Sequence, residues 1–140
     1  MSDEHAILSI CMTCRDGREP ETDTRGGSRL AEAIHARIHA LTAAGVMLRG
    51  VHCMSQCKRP CIASLSQDDK FTYVFGDLDP EQPEHVDALL ELIERYKKAP
   101  EGFLDRKDRP ELLRANILGR FPPIRTASPL VSRFDQVAAE

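Results

Sequence analysis

The sequence predicts an α/β domain of order β-α-β-β-β-α with a C-terminal extension. Three observations predict it. Two short apolar runs each end at a cysteine cluster, two longer segments repeat apolar residues at helical spacing, and the texture changes after Lys98. The chain has 140 residues, the size of one core. Hydrophobic residues are 41% and charged residues 29%, which excludes wholesale disorder. A net charge of −3 provides no global field for nucleic acid.

Taken in order, residues 5–10 read as a buried strand, with Ala6, Ile7, Leu8 and Ile10 apolar, running into Cys11. Residues 15–27 have no apolar period and read as a solvated loop. Ser28 is the expected N-cap of a helix over 29–44, in which Leu30, Ile34, Ile38 and Leu41 recur and Gly45 stops the turn. Val46–Val51 is a second strand and leads to Cys53. Residues 62–66 and 71–75 form two short strands joined by a hairpin connection at 67–70. Pro83–Lys98 is the closing helix, with Val86, Leu89, Leu90 and Ile93 on one face and Lys97 and Lys98 at its negative end.

This order fits a thioredoxin-like layer, a central sheet with helices packed on it. The domain is expected to span 1–98, and 99–140 to be an extension marked by Pro100, Pro110, Pro122, Pro123 and Pro129. Leu112, Leu113 and Ile117 would bury one side of a short helix ended by Gly119, packing on the sheet or forming a homodimer contact; a mobile tail would follow.

No apolar run reaches the roughly 18 residues of a membrane helix. The acidic start Met1-Ser2-Asp3-Glu4 is unlike a secretory signal. A cytoplasmic protein with neither membrane nor nucleic-acid partners is expected. In a reducing compartment its five cysteines are not structural bridges. They fall as Cys11-x2-Cys14 and Cys53-x3-Cys57-x3-Cys61. Parallel strands β-α-β end on one sheet edge, so the two clusters would meet where α/β folds place ligands. Four thiolates from two such loops complete a zinc site or hold a [2Fe–2S] cluster, and spacing alone does not choose between them. Arg15, Lys58 and Arg59 flank the thiols and would offset negative charge there, although a solvated basic loop has the same composition. Cys11 and Cys14 are also spaced as a redox dithiol. Cys61 reads either as a buried apolar residue at a strand start or as a reserve ligand in place of Cys14.

His35 and His39, one turn apart, read as a helix face, and His52 beside Cys53 points away by strand alternation. Phe75-Gly76-Asp77-Leu78 reads as a strand-ending turn. No nucleotide-binding loop, nucleophile elbow or helical metalloprotease motif is present.

Ile10-Cys11-Met12-Thr13-Cys14, the helix opening Gly26-Gly27-Ser28, and Cys53-Met54-Ser55-Gln56-Cys57 together resemble the thioredoxin-like [2Fe–2S] ferredoxins over about residues 5–98. To about residue 123 the chain resembles a bacterial family of predicted metal-binding proteins of unknown function. The marks are Cys-x2-Cys-Arg, the Cys53/Cys57/Cys61 triple, Tyr73-x-Phe75-Gly76-Asp77-Leu78 and Arg109-Pro110 to Pro122-Pro123. The resemblance implies a [2Fe–2S] cluster on Cys11, Cys14, Cys53 and Cys57, with no ligand at Cys61 and zinc as the alternative metal. It implies a non-catalytic one-electron carrier served by a reductase and an acceptor. It also implies a link to cobalamin biosynthesis, near whose genes the family is often encoded.

Overall fold

The computed structural model describes residues 5–136; the acidic start and the end of the tail lie outside them. Among the described residues eleven elements follow in order: β1 (Ala6–Cys11), α1 (Glu19–Thr22), α2 (Gly26–His35), α3 (Ile38–Ala43), β2 (Val46–Val51), β3 (Ala63–Ser66), β4 (Thr72–Phe75), α4 (Pro83–Lys98), a pair of 3-10 turns (Arg106–Asp108 and Glu111–Leu113), and β5 (Ile117–Phe121). They build one sheet of order β2-β1-β3-β4-β5. β1 and β2 are parallel, and the remaining pairs are antiparallel.

Alternation along the strands decides which face is covered. Leu8 stands opposite Leu48 and Leu65, and Leu65 stands opposite Tyr73. With Ala6, Ile10 and Phe75 they form an apolar face. Leu30 and Ile34 of α2 and Val86, Leu89 and Ile93 of α4 join this core, and the two helices touch each other. The reverse face is more polar: Arg49 donates to Ser9 (2.8 Å), and Met47 is exposed. Among the described residues no helix is long and apolar enough to cross a membrane.

The hairpin end of the sheet is locked by polar contacts. The Lys70 ammonium is buried and donates to the carbonyls of Tyr96, Lys97 and Ala99 at 2.8–3.0 Å, closing the negative end of α4. The Tyr96 hydroxyl donates to the Phe71 carbonyl (2.6 Å), and the Leu104 amide donates to the Tyr73 hydroxyl (2.7 Å).

Two expected elements differ. The helix over 29–44 is two helices, broken at Ala36 and Arg37, where the Arg37 amide bonds Ile34 three residues back. Leu30 and Ile34 before that tighter turn and Leu41 after it are all buried. The helix also opens earlier, at Gly26, and Ser28 is not its cap. In the extension, the helix expected over 112–117 is replaced by the short turn Glu111–Leu113 and then β5. The free edge of β4 accounts for this. Gly76 donates to the Asn116 carbonyl (2.9 Å), the Asn116 side chain returns a bond to the Gly76 carbonyl (3.0 Å), and β5 pairs onward from there. The extension thus contributes an edge strand to the sheet, while residues 122–136 form no regular element.

A chain ending at Thr126 is expected to keep its unfolding free energy, measured in urea, within about 0.5 kcal/mol of the full chain. A chain ending at Ala115, which strips β5 and the Asn116 clamp, is expected to lose about 3 kcal/mol or more. Equal midpoints for the two truncations would contradict the assignment of β5 as structural.

Candidate metal centre

Parallel pairing puts the ends of β1 and β2 side by side, with Cys11 opposite Val51. The Met12 and Cys53 amides both donate to the Val51 carbonyl (2.8 and 3.1 Å), so the two cysteine loops diverge from one point. The Cys11 amide donates to Ile62 at the exit of the second loop (3.0 Å). Cys11, Cys14, Cys53 and Cys57 line one cavity of about 190 Å³. Thr13, Arg15, Arg25, Ser55 and Gln56 complete its wall, which contains no carboxylate. Cys11 and Cys14 are buried and Cys53 and Cys57 exposed, so the cavity has a protein side and a solvent side. Cys61 is fully buried and stands outside the lining, in the core with Cys11 and Cys14. His35, His39 and His52 are exposed and are not part of the wall.

The first loop is seated on the start of α2. Gly27 donates to the Cys14 carbonyl (3.0 Å), the Ser28 hydroxyl to the Met12 carbonyl (3.2 Å) and the Arg25 guanidinium to the Thr13 carbonyl (3.0 Å). A Cβ on Gly27 would stand 1.9 Å from the Cys11 carbonyl oxygen, so this approach admits no side chain. Ser28 therefore serves the cysteine loop, where the sequence pointed to a helix cap.

Residues 15–27 are not merely a solvated loop. They contain α1 and a charge network that ties the first loop to the approach of α4. Asp16 pairs with Arg29 (2.7 Å) and Arg18 (3.0 Å), Arg18 reaches Asp79 (2.8 Å), and Arg29 reaches Glu81 (2.7 Å). The Glu19 carboxylate accepts from the Asp16, Gly17 and Gly26 amides at 3.0–3.1 Å, closing the start of α2. The Arg18 guanidinium bonded to Asp79 holds that carboxyl down at about 2, against the cost of its partial burial. An acidic residue three to seven positions before a Gly-Gly helix opening was the available sequence signal.

The second loop bends through two non-glycine residues in the left-handed region, Cys53 at φ 79° and Ser55 at φ 59°. Such backbone persists where surrounding structure enforces it, and it concentrates at functional sites. The loop's exit is clasped by the segment after β4. Asp77 donates its amide to the Arg59 carbonyl (2.9 Å) and accepts from the Arg59 guanidinium (2.6 Å), while Cys61 and Leu78 exchange backbone bonds at 3.3 Å. A Cβ on Gly76 would meet Leu118 at 2.7 Å and the Arg59 carbonyl at 3.0 Å. Phe75-Gly76-Asp77-Leu78 is thus the clasp of the second cysteine loop, a role that a strand-ending turn did not reveal.

The thiols are electrostatically unequal. Burial raises the Cys11 thiol, but contacts from the Cys14 thiol, the Thr13 hydroxyl and amide and the Met54 amide together outweigh it and bring Cys11 to about 7. Burial and the adjacent Cys11 push Cys14 up to about 12. Burial, with Cys14 nearby, pushes Cys61 to about 12.

A family model described as "Protein of unknown function (DUF1636)" matches residues 8–123. The chain belongs to the DUF1636 family. No curated protein matches it. Among solved structures, this DUF1636 chain is similar to a thioredoxin-like [2Fe–2S] ferredoxin from Aquifex aeolicus, at 18% identity and a TM-score of 0.51, covering 86% of this chain and 97% of that one. A second structure, of the wild-type Aquifex aeolicus ferredoxin, matches at 17% identity and TM-score 0.49, covering 82% and 97%. The DUF1636 chain therefore has the thioredoxin-like ferredoxin fold, α/β in class.

The donor set in this DUF1636 chain fits a thiolate-ligated cluster. Four sulfurs face one cavity, two cations and no anion share its wall, and the Thr13 and Ser55 hydroxyls lie 3.7 and 3.9 Å from the Cys11 and Cys53 sulfurs. Among the described residues no group of three or more His, Cys, Asp or Glu side chains is placed to hold a metal ion.

Gly27→Ala is expected to displace the Cys11–Cys14 loop and to lower the denaturation midpoint by about 2–3 kcal/mol. Gly17→Ala, at φ 91° with open space around it, is expected to lose about 1 kcal/mol. Equal losses would contradict the seating of α2 on the first loop. Because the Asp79 carboxyl is held below its ordinary value, its contribution is present above about pH 4 and lost as pH falls towards 2. Asp79→Asn is expected to lower stability by about 1–2 kcal/mol near neutrality and to leave it unchanged near pH 2. Parallel pH–stability curves for the two proteins would refute this.

Proposed function

We propose that this DUF1636 protein holds a [2Fe–2S] cluster through Cys11, Cys14, Cys53 and Cys57 and serves as a non-catalytic one-electron carrier between a reductase and an acceptor. The observation that carries the reading is the cavity of about 190 Å³ whose lining includes those four cysteines, two from each of two parallel-strand ends. When bound, such a cluster supplies one-electron reduction and reoxidation, with a potential set by charge, hydrogen bonds to sulfur and exposure.

The chain's own residues supply those levers. Cys11, at about 7, is partly thiolate near neutrality and so is a ready ligand. Cys14, at about 12, gives up its proton on ligation, so loading releases protons and weakens in acid. Arg15 and Arg25 offset the negative charge of four thiolates. Thr13 and Ser55 stand where a hydroxyl bonds a ligand sulfur. The buried pair excludes water from one side, and the exposed pair Cys53 and Cys57 turns the other side to solvent, where redox partners would approach.

One observation favours a second reading. A thiol at about 7 in contact with one at about 12 is the asymmetry of a nucleophilic and a resolving cysteine, so Cys11 and Cys14 alone would serve a thiol–disulfide oxidoreductase. That reading leaves Cys53 and Cys57 without a task.

Anaerobic purification is expected to yield a brown-red protein with about two irons and two sulfides per chain. Cys11→Ser, Cys53→Ser and Cys57→Ser are expected to lose that colour, and Cys61→Ser to keep it. Colourless protein with stoichiometric zinc would replace the cluster by a zinc site. Retention of colour in Cys14→Ser with loss in Cys61→Ser would make Cys61 the fourth ligand.

A further inference from the structure

Away from the cysteines, one largely buried basic side chain has a nitrogen without a partner. Arg109 follows the first 3-10 turn and is 9% exposed. Its Nε is buried without a hydrogen-bond partner. None of the ion pairs among the described residues includes it. Burial works against its charge, and the cations around it, Arg120, Arg106 and Arg114, add to that pressure. These neighbours are cations themselves and bring no counter-ion, and several of their donors bond backbone carbonyls. Arg120 bonds the Leu104 carbonyl (2.8 Å) and stacks on Phe103 (3.8 Å); Arg114 bonds the carbonyls of Arg106, Lys107 and Arg109 at 3.1–3.2 Å; Arg106 bonds that of Arg114 (3.1 Å). A buried guanidinium nitrogen left without a hydrogen-bond partner is costly, and a guanidinium does not deprotonate to relieve that cost.

Arg109 and Arg114 both line a cavity of about 350 Å³ between α4 and the segment 109–114, within the size range of small-molecule sites. Of the carboxylates in its wall, Asp87 is already paired with Arg37 (2.7 Å) and Glu91 with Arg95. Glu84 and Glu111 are exposed and solvated, so neither answers the buried charge.

We propose that this cavity is an oxyanion site in which the Arg109 guanidinium takes a phosphate or carboxylate group, with Arg114 as the second cation. A planar fork pairs such a group through two parallel hydrogen bonds, which a chloride ion cannot accept in the same way. Glu84 and Glu111 disfavour simple anions at the approach, so occupancy requires that bidentate pairing. The site is separate from the four thiols and independent of what they hold.

The test is the thermal melting of the full chain, as purified, in sodium phosphate, sodium malonate and sodium chloride at matched ionic strength. Phosphate, malonate or both should raise the melting temperature saturably above the chloride control, by about 5–10 °C at a hundredfold excess over the dissociation constant. Response to phosphate alone identifies a phosphoryl ligand, and response to malonate a carboxylate. Arg109→Met should abolish the response and melt in chloride at or above the wild type, since it removes a buried nitrogen without a partner and leaves an apolar chain of similar length. Arg114→Gln should weaken binding by about tenfold or more, read by calorimetric titration with the responding anion. No response to either anion in the wild type overturns the proposal, as does an equal response in Arg109→Met. Should Arg109→Met not fold, unchanged affinity in Arg114→Gln overturns it.

Discussion

The parallel register of β1 and β2 is the constraint on which the site depends. With Cys11 opposite Val51, both strands stop at one sheet edge, and the Val51 carbonyl receives the first amide of one loop and the Cys53 amide of the other. Cysteines far apart in the chain thereby face one cavity. A one-residue slip would turn the core face of β1 to the reverse side and carry Cys11 away with it. Packing opposes that slip, because Ala6, Leu8 and Ile10 are all fully buried against α2 and α4.

Two clamps then fix the loops that the strands deliver. The first is the approach of α2, which is possible because Gly27 has no side chain and because Glu19 satisfies the amides around the helix opening. The second is the segment after β4, whose Asp77 holds Arg59 through both backbone and side chain. The Asp16, Arg18, Arg29 and Asp79 network links the first loop to the same region that carries the second clamp. Rigid support of this kind positions ligands better than loop residues alone, and the left-handed backbone at Cys53 and Ser55 is held by it.

Much of this was legible in the sequence. The apolar runs before Cys11 and Cys53, the hairpin strands and the period of Val86, Leu89 and Ile93 each follow from local pattern, and so does the meeting of the two cysteine clusters. Three features were not legible, each for a tertiary reason. The break at Ala36 and Arg37 interrupts a continuous helical period, and Leu30, Ile34 and Leu41 are buried on either side of it, so the pattern carries no sign of it. β5 carries Gly119 and an Asn at its start, weak strand signals, and it forms because β4 offers an open ladder and Asn116 closes the junction. The loop at 15–27 looks solvated because its order comes from charge pairing with Asp79 and Glu81, which lie more than fifty residues away in the chain. Arg109, similarly, reads as an ordinary charged residue until its burial and its unpartnered Nε are seen.

The most direct test of the account is electron paramagnetic resonance on the anaerobically purified protein, before and after chemical reduction. Four thiolates from the two loops holding a [2Fe–2S] cluster predict a silent oxidised protein and, on uptake of one electron, a half-integer-spin signal integrating to about one spin per chain. A protein that stays silent through reduction while retaining stoichiometric zinc would contradict it.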